Sequence, residues 1–122
     1  MAKVLIIDDE KDIQDIIAKL ITSYFIDSIV VTEGNGLDGF IAAQKQQFDL
    51  IITDHKMPFM TGPALAVALR TRENSNKETP IIMLSAFITP DIKSELGMQN
   101  IEFMEKPLDY ETFINRITPL LV

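Results

Sequence analysis

The chain has 122 residues, enough for one compact domain that buries roughly two thirds of its unfolded surface, and none is cysteine, which excludes a disulfide framework and a thiolate metal site. Its formal charge of −7 argues against a nucleic-acid surface, because neutralising phosphates needs concentrated Lys and Arg. No apolar run approaches the roughly 20 residues of a membrane span, and Met1-Ala2-Lys3 leads into a strand without a signal-peptide pattern, so the mature chain is expected to start here, in a cytoplasmic setting.

Val4-Leu5-Ile6-Ile7 is short, β-branched and wholly apolar, and it breaks off at Asp8-Asp9-Glu10. That pattern predicts a strand covered on both faces, with acids at its exit. Ile13, Ile16, Ile17, Leu20 and Ile21 recur at helical spacing, which predicts an amphipathic helix to about Tyr24. A shorter second strand is expected over residues 29–32, followed by the turn signals Gly34-Asn35-Gly36. The second helix begins with Leu37, Phe40 and Ile41, takes Asn35 as its cap and ends in the polar residues 44–47.

The third strand carries the continuous apolar run Leu50, Ile51 and Ile52, and Asp54 is the first charge after it. Met57-Pro58 then marks a loop, because proline pushes the residue before it out of helical geometry. A third helix is expected from Gly62 or Pro63, with Thr61 able to cap it and residues 70–76 forming a solvated, charged tail. Thr79-Pro80 restarts the chain, and Ile81-Ile82-Met83-Leu84 is a fourth apolar strand closed by Ser85. Thr89-Pro90 has the form of a cap followed by proline at the first helical position, and Gly97 ends that short helix. A fifth, weaker strand covers residues 101–104, before Glu105-Lys106-Pro107. Phe113, Ile117, Leu120 and Leu121 form the stripe of a last helix that Pro119 should kink or shorten. Met57, Met60, Met83, Met98 and Met104 are expected to serve as packing.

Five strands alternating with five helices predict a parallel α/β sheet with helices on both faces. In such sheets ligands sit outside the carboxyl ends of the strands, and Asp8, Asp9, Asp54, Ser85 and Lys106 all fall there. If the first and third strands are neighbours, the three acids crowd together, and two unit charges about 4 Å apart repel by roughly 4 kcal/mol at an effective dielectric near 20. A few carboxylates with water completing the shell suit Mg²⁺. Lys106 supplies a mobile point charge for a phosphoryl oxygen, and Ser85 a hydroxyl for another. These are the parts needed for phosphoryl transfer onto an aspartate, with an acyl phosphate on Asp54 as product.

Asp8-Asp9 after the first strand, Asp54 followed by Met57-Pro58 and Gly62, Ser85-Ala86 after the fourth strand and Lys106-Pro107 after the fifth resemble the receiver domain of two-component response regulators. The resemblance spans essentially residues 1–122 and implies a flavodoxin-like (βα)5 doubly wound sheet of order 2-1-3-4-5. It implies that Asp54 accepts a phosphoryl group from a histidine kinase or histidine phosphotransfer protein, and that the chain is a signalling phosphoacceptor rather than an enzyme beyond its own phosphotransfer and autodephosphorylation. Asp9, Asp54 and the backbone carbonyl of Lys56 would ligate Mg²⁺, with Asp8 helping through water; Lys106 would pair with the phosphoryl group, across a cis Lys106-Pro107 bond. Ser85 would move towards the phosphate and Phe103 would swing inward behind it, a population shift read by a downstream protein or output domain on the face of the fourth helix, fifth strand and fifth helix.

His55, the single histidine, is read as a loop residue tuning access rather than as a donor or ligand, and the side chain of Lys56 as an influence on phosphate lifetime. The stretch Gly97-Met98-Gln99-Asn100-Ile101-Glu102 and Pro119 depart from the family pattern on the signalling face, while Arg116 matches it, so dimerisation through that face stays open. Two alternatives stand beside this reading. One is an aspartate-nucleophile phosphatase, against which the adjacent Asp8-Asp9 pair and the lack of room for a cap domain speak; the other is a degenerate receiver acting only as an interaction module.

Overall fold

Short apolar runs within five-residue strands, separated by amphipathic segments, build the sheet on which the molecule rests. The computed structural model describes residues 1–86, 88 and 100–122. Its strands are β1 (Lys3–Ile7), β2 (Ile29–Glu33), β3 (Leu50–Asp54), β4 (Ile81–Ser85) and β5 (Ile101–Glu105). The helices among the described residues are α1 (Lys11–Tyr24), α2 (Gly36–Lys45), α3 (Gly62–Thr71) and α4 (Tyr110–Leu121), the last being the helix expected as the fifth. The helix expected between Thr89-Pro90 and Gly97, together with Met98, lies outside the described residues. All strand pairs are parallel, in the order β2-β1-β3-β4-β5 that the resemblance implied.

Alternation along the central strands divides the core in two. Leu5, Ile7, Ile51, Ile81 and Met83 face one side, where Ala43 of α2 and Leu65, Ala66 and Leu69 of α3 cover them. Val4, Ile6, Leu50, Ile52, Ile82 and Leu84 face the other, covered by Ile17 and Ile21 of α1 and by Phe113, Ile114 and Ile117 of α4. A strand that must be apolar on both faces shows no period-2 pattern, which is why these runs are continuous. The edge strands β2 and β5 are only half-buried, in keeping with their weaker sequence signal.

Caps fix where the helices begin. The side chain of Asn35 accepts from Asp38 N at 2.8 Å, and that of Thr61 accepts from Ala64 N at 3.2 Å, with Pro63 in the first turn of α3. Gly62 is required by crowding: a Cβ there would run into the carbonyl oxygen of Asp54, whose loop lies against the start of α3.

Two expectations are corrected. The tail at residues 70–76 is exposed only in its middle. Arg70 is half-buried, and its guanidinium donates to the carbonyls of Asn76 (3.3 Å), Lys77 (2.9 Å), Thr79 (2.6 Å) and Asn100 (3.1 Å); Asn76 is fully buried. The chain must return from α3 to the start of β4 through an irregular segment, and its carbonyls need donors that no ladder supplies. Secondly, Pro119 does not shorten the last helix, which runs to Leu121 and closes with Val122 N donating to Thr118 O. In a final turn the missing N–H removes a single helical bond, so the helix persists.

Candidate functional site

Parallel strands ending at one level bring distant residues together. Hydrogen bonds continue the ladders one step past the strand ends: Asp8 N to Glu33 O (3.1 Å), His55 N to Leu84 O (2.9 Å) and Lys106 N to Ser85 O (2.9 Å). Asp8, just after β1, Asp54 at the end of β3, Ser85 at the end of β4 and Lys106, just after β5, therefore occupy one rim of the sheet. The Lys106–Pro107 peptide bond is cis, as expected.

Asp54 is buried, and its Oδ1 accepts from the Lys106 ammonium at 2.9 Å and from His55 N at 2.9 Å. The same ammonium reaches Oδ2 of Asp8 at 3.5 Å, so Lys106 bridges two acids that the chain separates widely. Asp8 is more deeply buried, and its Oδ1 accepts from Glu10 N at 2.9 Å. Burial pushes the Asp8 carboxyl above its ordinary value and the charge of Asp54 adds to this; the Glu10 N–H and Lys106 oppose it without reversing it. For Lys106, burial alone would lower the ammonium, but the hydrogen bond and charge of Asp54 and the charge of Asp8 more than offset that and hold it above the usual lysine range.

The carboxylates of Asp8, Asp9 and Glu10 come within 4.8 Å of one another, with Asp9 and Glu10 exposed. Glu10, expected at the exit of β1 but not among the metal ligands, thus joins Asp8 and Asp9, while the carboxylate of Asp54 is engaged by Lys106. Lys56 is exposed, two positions beyond Asp54. Phe103, opposite Met83 in the β4–β5 register, is half-buried and packs against the core on the α2–α3 side. The ring of His55 approaches the Ser85 hydroxyl, with Nδ1 and Oγ 3.3 Å apart.

Gln14 escaped the sequence reading. It is buried, and its Nε2 donates to the carbonyls of Asp8 (2.7 Å) and Glu33 (3.1 Å), fastening α1 to the loop that presents Asp8. The signal was present, since Gln14, Ile17 and Ile21 are the buried residues of α1 and share one helical stripe. A polar residue on a buried stripe implies a hydrogen-bond duty.

The donor set suits a hard divalent cation. Clustered carboxylate oxygens, one of them buried and pushed away from ionisation, gain from a positive charge beside them, and oxygen-only donors match Mg²⁺ better than a softer metal. The same rim can hold an anion, through the Lys106 ammonium and the Ser85 hydroxyl.

Comparison with known proteins agrees with this fold. The family model for the response regulator receiver domain matches residues 4–118. The transcriptional regulatory protein PcoR of Escherichia coli is 33% identical over 131 aligned residues, covering 99% of this chain and 52% of that protein. Hybrid signal transduction histidine kinase G of Dictyostelium discoideum is 30% identical over 97% of this chain, which corresponds to 4% of the kinase. The chain therefore spans about half or less of the length of these curated relatives. Among solved structures, chemotaxis protein CheY4 of Vibrio cholerae superposes with a TM-score of 0.87 at 33% identity, covering 99% of both chains.

Proposed function

The chain belongs to the response regulator receiver family, and from that premise we propose that it is a single phosphoacceptor domain that takes a phosphoryl group onto Asp54 from a histidine kinase or histidine phosphotransfer protein. The observation that carries this reading is the convergence of Asp54, Asp8 and Lys106 on one rim, with the ammonium bridging both acids. A carboxylate oxygen of Asp54 attacks phosphorus, the O–P bond forms as the P–N bond of a phosphohistidine breaks, and the departing imidazole takes up a proton. Little covalent work falls to the protein, so positioning and charge neutralisation dominate. Lys106 then exchanges carboxylate oxygens for phosphoryl oxygens, and Ser85 donates its hydroxyl to another.

Mg²⁺ would be held by Asp9, Asp54 and the Lys56 carbonyl with Asp8 behind them, and when bound it supplies neutralisation of the charge gathering on the phosphoryl oxygens. Glu10, whose carboxylate shares the acidic cluster, is a further candidate to receive one of its waters. Phosphorylation shifts Phe103 and the signalling face of the expected fourth helix, fifth strand and fifth helix, of which β5 and α4 are the described part, and a downstream protein or output domain reads it; the family's presence in regulators and hybrid kinases supports both kinds of partner. No helix among the described residues is long and apolar enough to cross a membrane, which accords with a cytoplasmic site of action.

Incubation with a small phosphodonor and Mg²⁺, followed by intact-mass analysis, tests this. The expected result is a gain of one phosphoryl group in the wild type, its loss in Asp54→Asn and its suppression by a chelator. No gain in a protein that also fails to bind beryllofluoride would refute the reading, as would an equal gain in Asp54→Asn.

A further inference from the structure

His55 is the single histidine of the chain, and its imidazole meets the hydroxyl that the phosphoacceptor reading assigns to the phosphate. The backbone of His55 is pinned at both ends. Its N–H donates to Asp54 Oδ1 and to Leu84 O, both at 2.9 Å, and its carbonyl accepts from Gly62 N at 2.9 Å. The backbone that carries the ring is therefore tied to the end of β3 and the start of α3, so that only side-chain rotation would let the ring follow Ser85 if that side chain moves. Nδ1 can accept from the hydroxyl or donate to it according to tautomer, and either way it anchors Oγ on the side of the ring, 3.3 Å away.

We propose that His55 is a positioning residue that latches the Ser85 hydroxyl in the unmodified protein and thereby sets how readily the site converts to its phosphorylated arrangement. The inference rests on the phosphoacceptor reading, in which Oγ must leave the ring to reach a phosphoryl oxygen. The bond exists only in the starting state, so its loss favours the product state by about the worth of one hydrogen bond, a shift of roughly three- to tenfold in the equilibrium. Contacts present in one state alone are what a ligand-driven switch can use.

The test compares His55→Phe, which keeps a ring and loses the nitrogens, His55→Ala, which covers any misfit of the larger ring, and His55→Asn, whose amide places a hydrogen-bonding atom where Nδ1 stands. Beryllofluoride affinity with Mg²⁺, measured by calorimetry, should tighten about three- to tenfold in the Phe and Ala variants, with His55→Asn close to wild type. In a Ser85→Ala background the same His55 substitutions should have no effect. A second readout needs no ligand: with one histidine, the ring-proton NMR signals of His55 are unambiguous, and Ser85→Ala should shift them in the metal-free protein. Wild-type binding with unchanged affinity in both His55→Phe and His55→Ala, or an equal effect of these in the Ser85→Ala background, overturns the latch alone. No beryllofluoride binding by the wild type overturns the phosphoacceptor reading and the latch with it.

Discussion

Asp8 is 1% exposed, and burial together with the charge of Asp54 raises its carboxyl above the ordinary value near 3.8. A carboxyl whose folded value lies above its unfolded value favours folding while protonated. That contribution is fully present below pH 3.8 and is lost as pH rises through the folded value. Asp8→Asn, which imitates the neutral acid and keeps an acceptor for Glu10 N–H, should therefore melt higher than wild type at pH 7 in metal-free buffer. The expected change is a rise in melting temperature, and it should vanish as the pH falls below the ordinary carboxylate range. Thermal melts across pH check this, and a gain that persists in acid would show a cause other than ionisation. At this scale the residues of the site were legible because each lies at the carboxyl end of a strand or within two positions beyond it. Their pairing was not, since only the fold shows that the Lys106 ammonium rests on Asp54 and Asp8.

From the last turn of α3 to β4 the sequence offers charges and amides in no periodic pattern, yet Arg70 and Asn76 hold the elements together. Asn76 accepts from Phe48 N (2.8 Å) and Thr79 Oγ1 (3.0 Å) and donates to the carbonyls of Ala43 (2.6 Å) and Gln46 (2.9 Å), joining the end of α2 to the entry of β3. Asn76→Ala would leave buried backbone groups unpaired and should cost about 2–4 kcal/mol. Asn35→Ala removes only an exposed cap and should cost about 1 kcal/mol. Urea unfolding distinguishes them, with the midpoint falling further for Asn76→Ala and the slope unchanged. Arg70 has the matching role at the end of α3, where its planar fork meets several carbonyls at once. Lysine would keep the charge but lose that geometry. Strands and caps were readable because their signals are local, whereas Arg70 and Asn76 act on partners at distant or irregular positions that periodicity does not reach. Gln14 lies between these cases, readable in position though not in partner.

At the scale of the molecule, alternation of strands and helices was enough to expect a parallel sheet, but the order β2-β1-β3-β4-β5 came from resemblance, because periodicity is silent about neighbours. That order sets β1 beside β3, with Asp8 and Asp54 at one rim, and sets β4 between β3 and β5, so that Ser85 and Lys106 close the same site. The opposite end of the sheet is fastened by Arg70 and by Asn100, whose Nδ2 donates to Glu78 O at 2.9 Å. One end is thus locked by side chains on backbone carbonyls, while the other carries acids and an ammonium able to exchange partners. The central claim is that this exchange ends with phosphate on Asp54. Borohydride reduces an aspartyl phosphate to homoserine, so treating the protein with a small phosphodonor and Mg²⁺, reducing it and sequencing its peptides by mass spectrometry reads the acceptor directly. Homoserine at position 54 alone is the expected result; homoserine at another aspartate, or none in a protein shown to be phosphorylated, would contradict it.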